Sequence, residues 1–240
     1  MKYYESLQFF MLISISTYGI SNGFECDFHA TMIRSVEKEG FHKELRSFVE
    51  IVTTKSTEKL RDCQVAIEES LPSSFYVDPD QLNNLGAYGK VLACANETVD
   101  VEKPQFSSPP LKVYVYSSLN TTGNLLVANM VLPIHLRYHK PRSGGGYQVV
   151  KISKPRLFLR CPRRLDCPKQ GTMAFPCYRC TSKKCSWLEF SFKTNMDPLK
   201  VAVPVGDLNH KLLIQLLTFL VTIGGSIYIF STLASKIPHL

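Results

Sequence analysis

The chain has 240 residues, 45% of them hydrophobic, with eight cysteines and a formal net charge of +8. That length suffices for one large extracytosolic domain or two small ones with cores of their own. The basic balance suggests a nucleic-acid binder, but a secretory leader and a membrane span put the folded part where nucleic acid is absent, so that class is excluded.

At the N-terminus Lys2 precedes an uncharged, mostly apolar run from Leu7 to Ile20, with the small residues Ser21 and Gly23 at the positions a signal peptidase reads. Residues 1–23 therefore read as a cleaved signal peptide, and residues 24–206 as a lumenal β domain. Its charge is uneven. Phe24 to Lys103 carries fifteen acids and nine bases, whereas Arg137 to Lys184 carries thirteen bases and only Asp166. Either the two halves neutralise each other, most of these side chains being solvated, or a basic face is left for anionic lipid headgroups or an acidic partner.

Alternation marks strands at Leu45 to Thr54 and at Cys63 to Glu68. In FYVDPDQLNNLG, from Phe75 to Gly86, Asp78 can cap, Pro79 suits the first helical position and Gly86 can end the turn. A helix of one or two turns is expected there. Lys103 to Pro110 reads as a loop, and Val113 to Tyr116 as a strand. From Leu126 to Tyr138 every second residue is apolar, with His135, Arg137 and His139 on the polar face. Pro133 cannot donate to a ladder, so a bulge or sheet-switching bend is expected at that point. Ser143 to Gly146 is a turn, Tyr147 to Ile152 and Leu157 to Cys161 are strands, and Leu188, Phe190 and Phe192 share a face near Trp187. Val201, Val203 and Val205 lead towards the membrane. The fold class expected is mainly β, a β-sandwich-like lumenal domain on one C-terminal transmembrane helix.

Residues 207–211 form a juxtamembrane linker, and Leu212 to Leu233 passes twenty-two residues without a charge. At about 1.5 Å per residue the run reaches about 33 Å, enough to cross a hydrocarbon core of about 30 Å. A removable GPI-anchor signal would need a longer polar spacer than the sequence offers after Gly206. The anchor is thus retained, the chain is single-pass type I, and residues 234–240 form a cytoplasmic tail. On a helical wheel Gln215, Thr218, Thr222, Gly225 and Ser226 fall on one stripe, as does Thr232. Small and polar residues let membrane helices approach closely, so this stripe is the candidate contact with a partner helix. The competing reading is a lone anchor whose hydroxyls bond back to their own carbonyls.

Cys26, Cys63, Cys94, Cys161, Cys167, Cys177, Cys180 and Cys185 are disulfide candidates in an oxidising compartment. Five of them crowd between Cys161 and Cys185, so full oxidation requires a bridge from that cluster to Cys26, Cys63 or Cys94. Zinc is disfavoured, because Cys177-x-x-Cys180 lacks a second well-spaced partner pair. Asn96-Glu97-Thr98 and Asn120-Thr121-Thr122 are N-glycosylation acceptors. His135 and His139 stand four apart, but Leu136 occupies the place where hydrolytic zinc sites put a glutamate, so a solvated or hydrogen-bonded pair is expected. No catalytic residue, cofactor site or metal site is expected.

The segments GFHKELRSFVEI from Gly40, LPSSFYVDPDQL from Leu71, LPIHLRYHKP from Leu132, PRLFLRC from Pro155 and VAVPVG from Val201 together resemble the PIG-X family. Its members are accessory subunits of the first mannosyltransferase of GPI-anchor synthesis. The resemblance implies an endoplasmic-reticulum membrane glycoprotein without catalytic residues. It also implies a partner, the polytopic mannosyltransferase PIG-M, which transfers mannose from dolichol-phosphate-mannose to glucosaminyl phosphatidylinositol. The alternative is a cell-surface type I glycoprotein acting as a receptor or adhesion module, which would carry complex rather than high-mannose glycans.

Overall fold

The structure, a computed structural model, describes residues 28–53, 60, 62–162, 171–178 and 180–236. The expected signal peptide, Cys26, Cys167 and the last four residues of the tail lie outside that set. In chain order the first strands are β1 (Phe28–Glu37), β2 (His42–Thr53), β3 (Gln64–Leu71), β4 (Phe75–Tyr76), β5 (Leu92–Ala95), β6 (Leu111–Ser118) and β7 (Asn120–Thr122). They are followed by β8 (Leu125–Leu136), β9 (Gly146–Ile152), β10 (Arg156–Arg160), β11 (Thr172–Pro176), β12 (Lys184–Phe190), β13 (Phe192–Thr194) and β14 (Leu199–Val205). Helix α1 (Pro79–Ala87) lies between β4 and β5, and helix α2 (Lys211–Lys236) ends the fold.

The strands form two six-stranded sheets and a pair. One sheet runs β13-β1-β2-β8-β4 with β7 also on β8; the other runs β11-β12-β10-β3-β6-β5; β14 pairs β9. Among the described strands only β1 and β13 pair in parallel. The sheets pack face to face because alternate residues of each are apolar. Met32, Val49, Ile51, Leu126 and Ile134 from the first sheet meet Val65, Ile67, Val113, Val115 and Leu157 from the second, all fully or nearly fully buried. Each such side chain contributes about 1.5–3 kcal/mol when withdrawn from water. The fold is thus the expected sandwich, carrying one C-terminal apolar helix that could span a membrane.

The second sheet is covered on its outer face as well. It curls until Phe175 of β11 stacks on Tyr114 of β6 at 4.5 Å and on Trp187 of β12 at 5.0 Å. Tyr116 donates its hydroxyl to the Pro176 carbonyl at 2.9 Å, and Cys94 of β5 is bridged to Cys180 in the turn after β11. Burial pushes the Tyr114 phenol up to about 12, with Glu68 adding to the effect.

Helix α1 follows its capping signals. The Asp78 carboxylate accepts from the Asp80 and Gln81 amides at 2.9 and 3.3 Å. Its end differs from the expectation at Gly86, which stays helical. Instead Gly89, at φ +66°, takes the left-handed position, with Lys90 N–H donating to Leu85 O and Gly89 N–H to Gly86 O. That pair of bonds is a Schellman ending, which needs a residue without a Cβ penalty one step past the cap.

Strand β8 corrects three expectations. It stops at Leu136, so Tyr138 is exposed, while His135 and Arg137 on the supposed polar face are buried. Pro133 makes no bulge: its register with β2 is continuous from Val52↔Leu125 to His42↔His135. Thr53 N–H donates to Asn124 O and Leu136 N–H to Phe41 O, so bonded pairs recur at every second residue and skip Pro133, opposite Glu44. The missing N–H faces the edge of β8 that neither β7 nor β4 pairs, where proline costs no ladder bond. The sheet switch occurs instead at Ser191: Phe190 pairs Leu157 in one sheet and Phe192 pairs Ala30 in the other.

Candidate partner-binding site

Three of the segments that carry the resemblance converge beside α1. Tyr76 of β4 pairs with His135 of β8, and the Arg137 amide donates to Ser74 O at 2.8 Å. His135 Nε2 lies 2.9 Å from Gln81 Oε1, its ring stacked on Tyr76 at 5.0 Å and edge-on to His42 at 4.4 Å. Burial, with His42 adding to it, holds the His135 pKa below the ordinary imidazole value. The neutral ring then donates from Nε2 to the Gln81 amide oxygen. Arg137 lies 4.7 Å over the Tyr76 ring and donates to Lys103 O, while Gln105 ties Tyr138 O and Ser73 Oγ into the same knot. Burial also lowers the Arg137 pKa. Beside the knot opens a cleft of about 340 Å³, lined by His42, Lys43, Gln81, Leu85, Lys90 and Pro133 among others.

This arrangement ties the loops at Ser73–Ser74 and Lys103–Gln105 to the end of β8. His135, Gln81, Gln105 and Arg137 Nη1 bond within the knot, whereas Arg137 Nε is buried without a partner among the described residues. Of His135 and His139, expected as a solvated or hydrogen-bonded pair, His135 is buried and hydrogen-bonded to Gln81, while His139 lines a separate groove beyond the end of β8. Among the described residues no group of three or more His, Cys, Asp or Glu is placed to hold a metal ion.

Among the remaining site residues, Asn96 is exposed just after β5 and Asn120 is exposed at the start of β7. Described cysteines pair as Cys63–Cys161, Cys94–Cys180 and Cys177–Cys185, two of the three bridges joining the cysteine cluster to the first half of the chain. On α2, Gln215, Thr218, Thr222, Gly225 and Ser226 are all exposed. Thr222 donates its hydroxyl to Thr218 O and Ser226 to Thr222 O, each at 2.8 Å, and Thr232 to Tyr228 O at 2.6 Å. A Cβ added at Gly225 would meet nothing within 4 Å.

The sequence reading passed over a buried ion pair that joins the sheets. Arg34 of β1 donates to both carboxylate oxygens of Glu69 of β3 at 2.9 and 2.7 Å, and to Ser153 O at 3.1 Å. Both side chains are fully buried. The signal was present: Arg34 continues the inward phase of Ala30 and Met32, and Glu69 that of Val65 and Ile67.

The PIG-X / PBN1 family model matches residues 38–234. The human GPI alpha-1,4-mannosyltransferase I stabilizing subunit is 29% identical over 194 residues, 79% of this chain and 74% of that one. The rat protein of the same name is 28% identical over 190 residues, 78% of this chain and 74% of its own. Protein pbn1 of Schizosaccharomyces pombe is 23% identical over 167 residues, 66% of this chain and 47% of its own. No solved structure matches the chain. A family match that takes in both the β sandwich and the apolar helix makes the chain a member of the PIG-X/PBN1 family.

Proposed function

We propose that this protein is the non-catalytic stabilising subunit of the GPI-anchor mannosyltransferase that adds the first mannose to glucosaminyl phosphatidylinositol, with PIG-M as its partner. The observation that carries the reading is the family match from residue 38 to residue 234, together with the role for which the mammalian relatives are named. The knot around His135 and Arg137 supports it as well, because hydrogen-bonded loops beside α1 offer a surface suited to binding. In this reading residues 1–23 are removed, residues 24–206 lie in the lumen of the endoplasmic reticulum, and residues 207–211 join them to a span at 212–233. A short tail, 234–240, stays in the cytosol. The glycans sit on Asn96 and Asn120, and α2 presents Gln215, Thr218, Thr222, Gly225 and Ser226 to a membrane helix of the enzyme.

Purification of the full chain from membranes in a gentle detergent, with identification of the co-purifying chains, tests this directly. The polytopic mannosyltransferase is expected in near-stoichiometric amount; its absence from every such preparation overturns the proposal.

A further inference from the structure

The chain leaving β8 carries a basic groove to the root of the membrane helix. Arg142 N–H donates to Gly206 O and Leu208 N–H to Arg142 O, each at 3.0 Å. Asp207 accepts from the Gly144 amide at 2.9 Å. The Arg142 side chain turns onto its own loop, donating to Gly145 O at 2.9 Å and Tyr147 O at 3.1 Å. The latch therefore fixes residues 140–147 against residues 206–208. A three-residue 3-10 turn, Leu208–His210, separates it from α2. At about 2.0 Å per residue for the turn and 1.5 Å for the helix, Asp207 stands at most roughly 9 Å beyond Leu212. Lipid headgroups occupy about 5–8 Å outside each hydrocarbon face.

Against this latch lies a groove of about 620 Å³ whose polar wall includes Ser74, His139, Lys140, Arg142, Gln148 and Lys151, with no Asp or Glu in its lining. Among the described residues the acidic half pairs little with the basic one. Among the described residues between Arg137 and Lys184, Arg156 alone enters an ion pair, with Glu189 and Glu68. Lys140 and Lys151 are exposed. Val149 in the lining is 56% exposed, and Tyr138 and Tyr147, next in sequence to the lining residues His139 and Gln148, are 73% and 68% exposed; an amphipathic ring on such a surface fits the membrane–water boundary.

We propose that this groove binds the phosphate-bearing headgroup of an anionic phospholipid in the leaflet that surrounds α2. Lys140 and Lys151 supply the charge, Gln148 and Ser74 can hydrogen-bond headgroup oxygens, and the exposed tyrosines rest among the neighbouring headgroups. The inference rests on α2 spanning the membrane and is independent of the enzyme partner.

The test is native mass spectrometry of the full chain released from detergent micelles containing phosphatidylserine and phosphatidylcholine in equal amounts. Phosphatidylserine is expected to be retained several-fold over phosphatidylcholine, and that excess should disappear in K140E/K151E, because losing two surface cations beside a charged membrane removes more than a several-fold preference. K140Q/K151Q, with the thermal midpoint of each variant as a check on folding, covers the case in which charge reversal unfolds the chain. Equal retention of the two lipids, or an undiminished excess in a folded variant, overturns the proposal. So does displacement of phosphatidylserine by an acidic peptide at a lower concentration than a soluble phosphoserine headgroup needs, because the groove would then be built for a protein segment.

Discussion

Arg34 and Glu69 join the sheets at a point where apolar side chains would have been simpler, and their removal is informative. Taking away one partner of a buried pair strands a charge and costs about 3–5 kcal/mol, whereas replacing both with apolar residues is close to neutral. Above pH 7, where Glu69 is ionised, Arg34→Met should therefore destabilise the purified protein by that amount in denaturant titration, and Arg34→Met with Glu69→Leu should recover most of the loss. Burial pushes the Glu69 carboxyl from 4.5 up to about 7, against the opposing pull of Arg34. The folded state then holds its proton while the unfolded chain has lost it, so this residue's contribution is full below pH 4.5 and is lost as pH rises through about 7. The thermal midpoint should fall across that window, and Glu69→Gln should flatten the slope. The pair was hidden in the sequence because charge at an inward position reads as a break in alternation, which is also why β1 went unmarked.

Strands and helices whose rules are local were legible: Asp78 and Pro79 announced α1, and the alternation from Leu126 announced β8. Tertiary pairing decided the rest. Pro133 sits harmlessly in β8 because the strand beyond it is absent at that point, and the switch at Ser191 depends on which sheet each phenylalanine meets. Cysteine pairing was equally non-local, since five crowded cysteines fix parity and not partners. The Cys94–Cys180 bridge fastens β5 to the turn after β11 across 86 residues of sequence. Replacing both by serine should cost about 2–5 kcal/mol and loosen the aromatic stack of Tyr114, Phe175 and Trp187, seen as a red shift of tryptophan emission. In α2 the hydroxyls of Thr222 and Ser226 are already bonded to carbonyls one turn back, so what the stripe offers a partner is shape around Gly225. Thr222→Leu with Gly225→Leu keeps the helix long and apolar and fills that groove. Co-purification of the enzyme should drop and surface GPI-anchored proteins with it; unchanged levels of both would make α2 an anchor and nothing more.

On the proposed function, a β sandwich latched to the root of one apolar helix would hold the enzyme from two sides, in the lumen and in the bilayer. Residence beside that enzyme predicts glycans on Asn96 and Asn120 that stay sensitive to high-mannose-specific endoglycosidase at steady state, whereas complex glycans on surface-labelled protein would favour a cell-surface receptor. The long apolar helix and the β class could be read from the sequence because hydropathy and alternation are properties of the chain itself; the knot around His135 could not, because it joins residues far apart in sequence. The central claim is that this chain stabilises the mannosyltransferase. The measurement that bears on it most directly is the abundance of PIG-M protein in cells from which the chain has been removed. It is predicted to fall several-fold without change in its transcript and to return when the intact chain is restored; an undiminished amount of fully active enzyme would contradict the account.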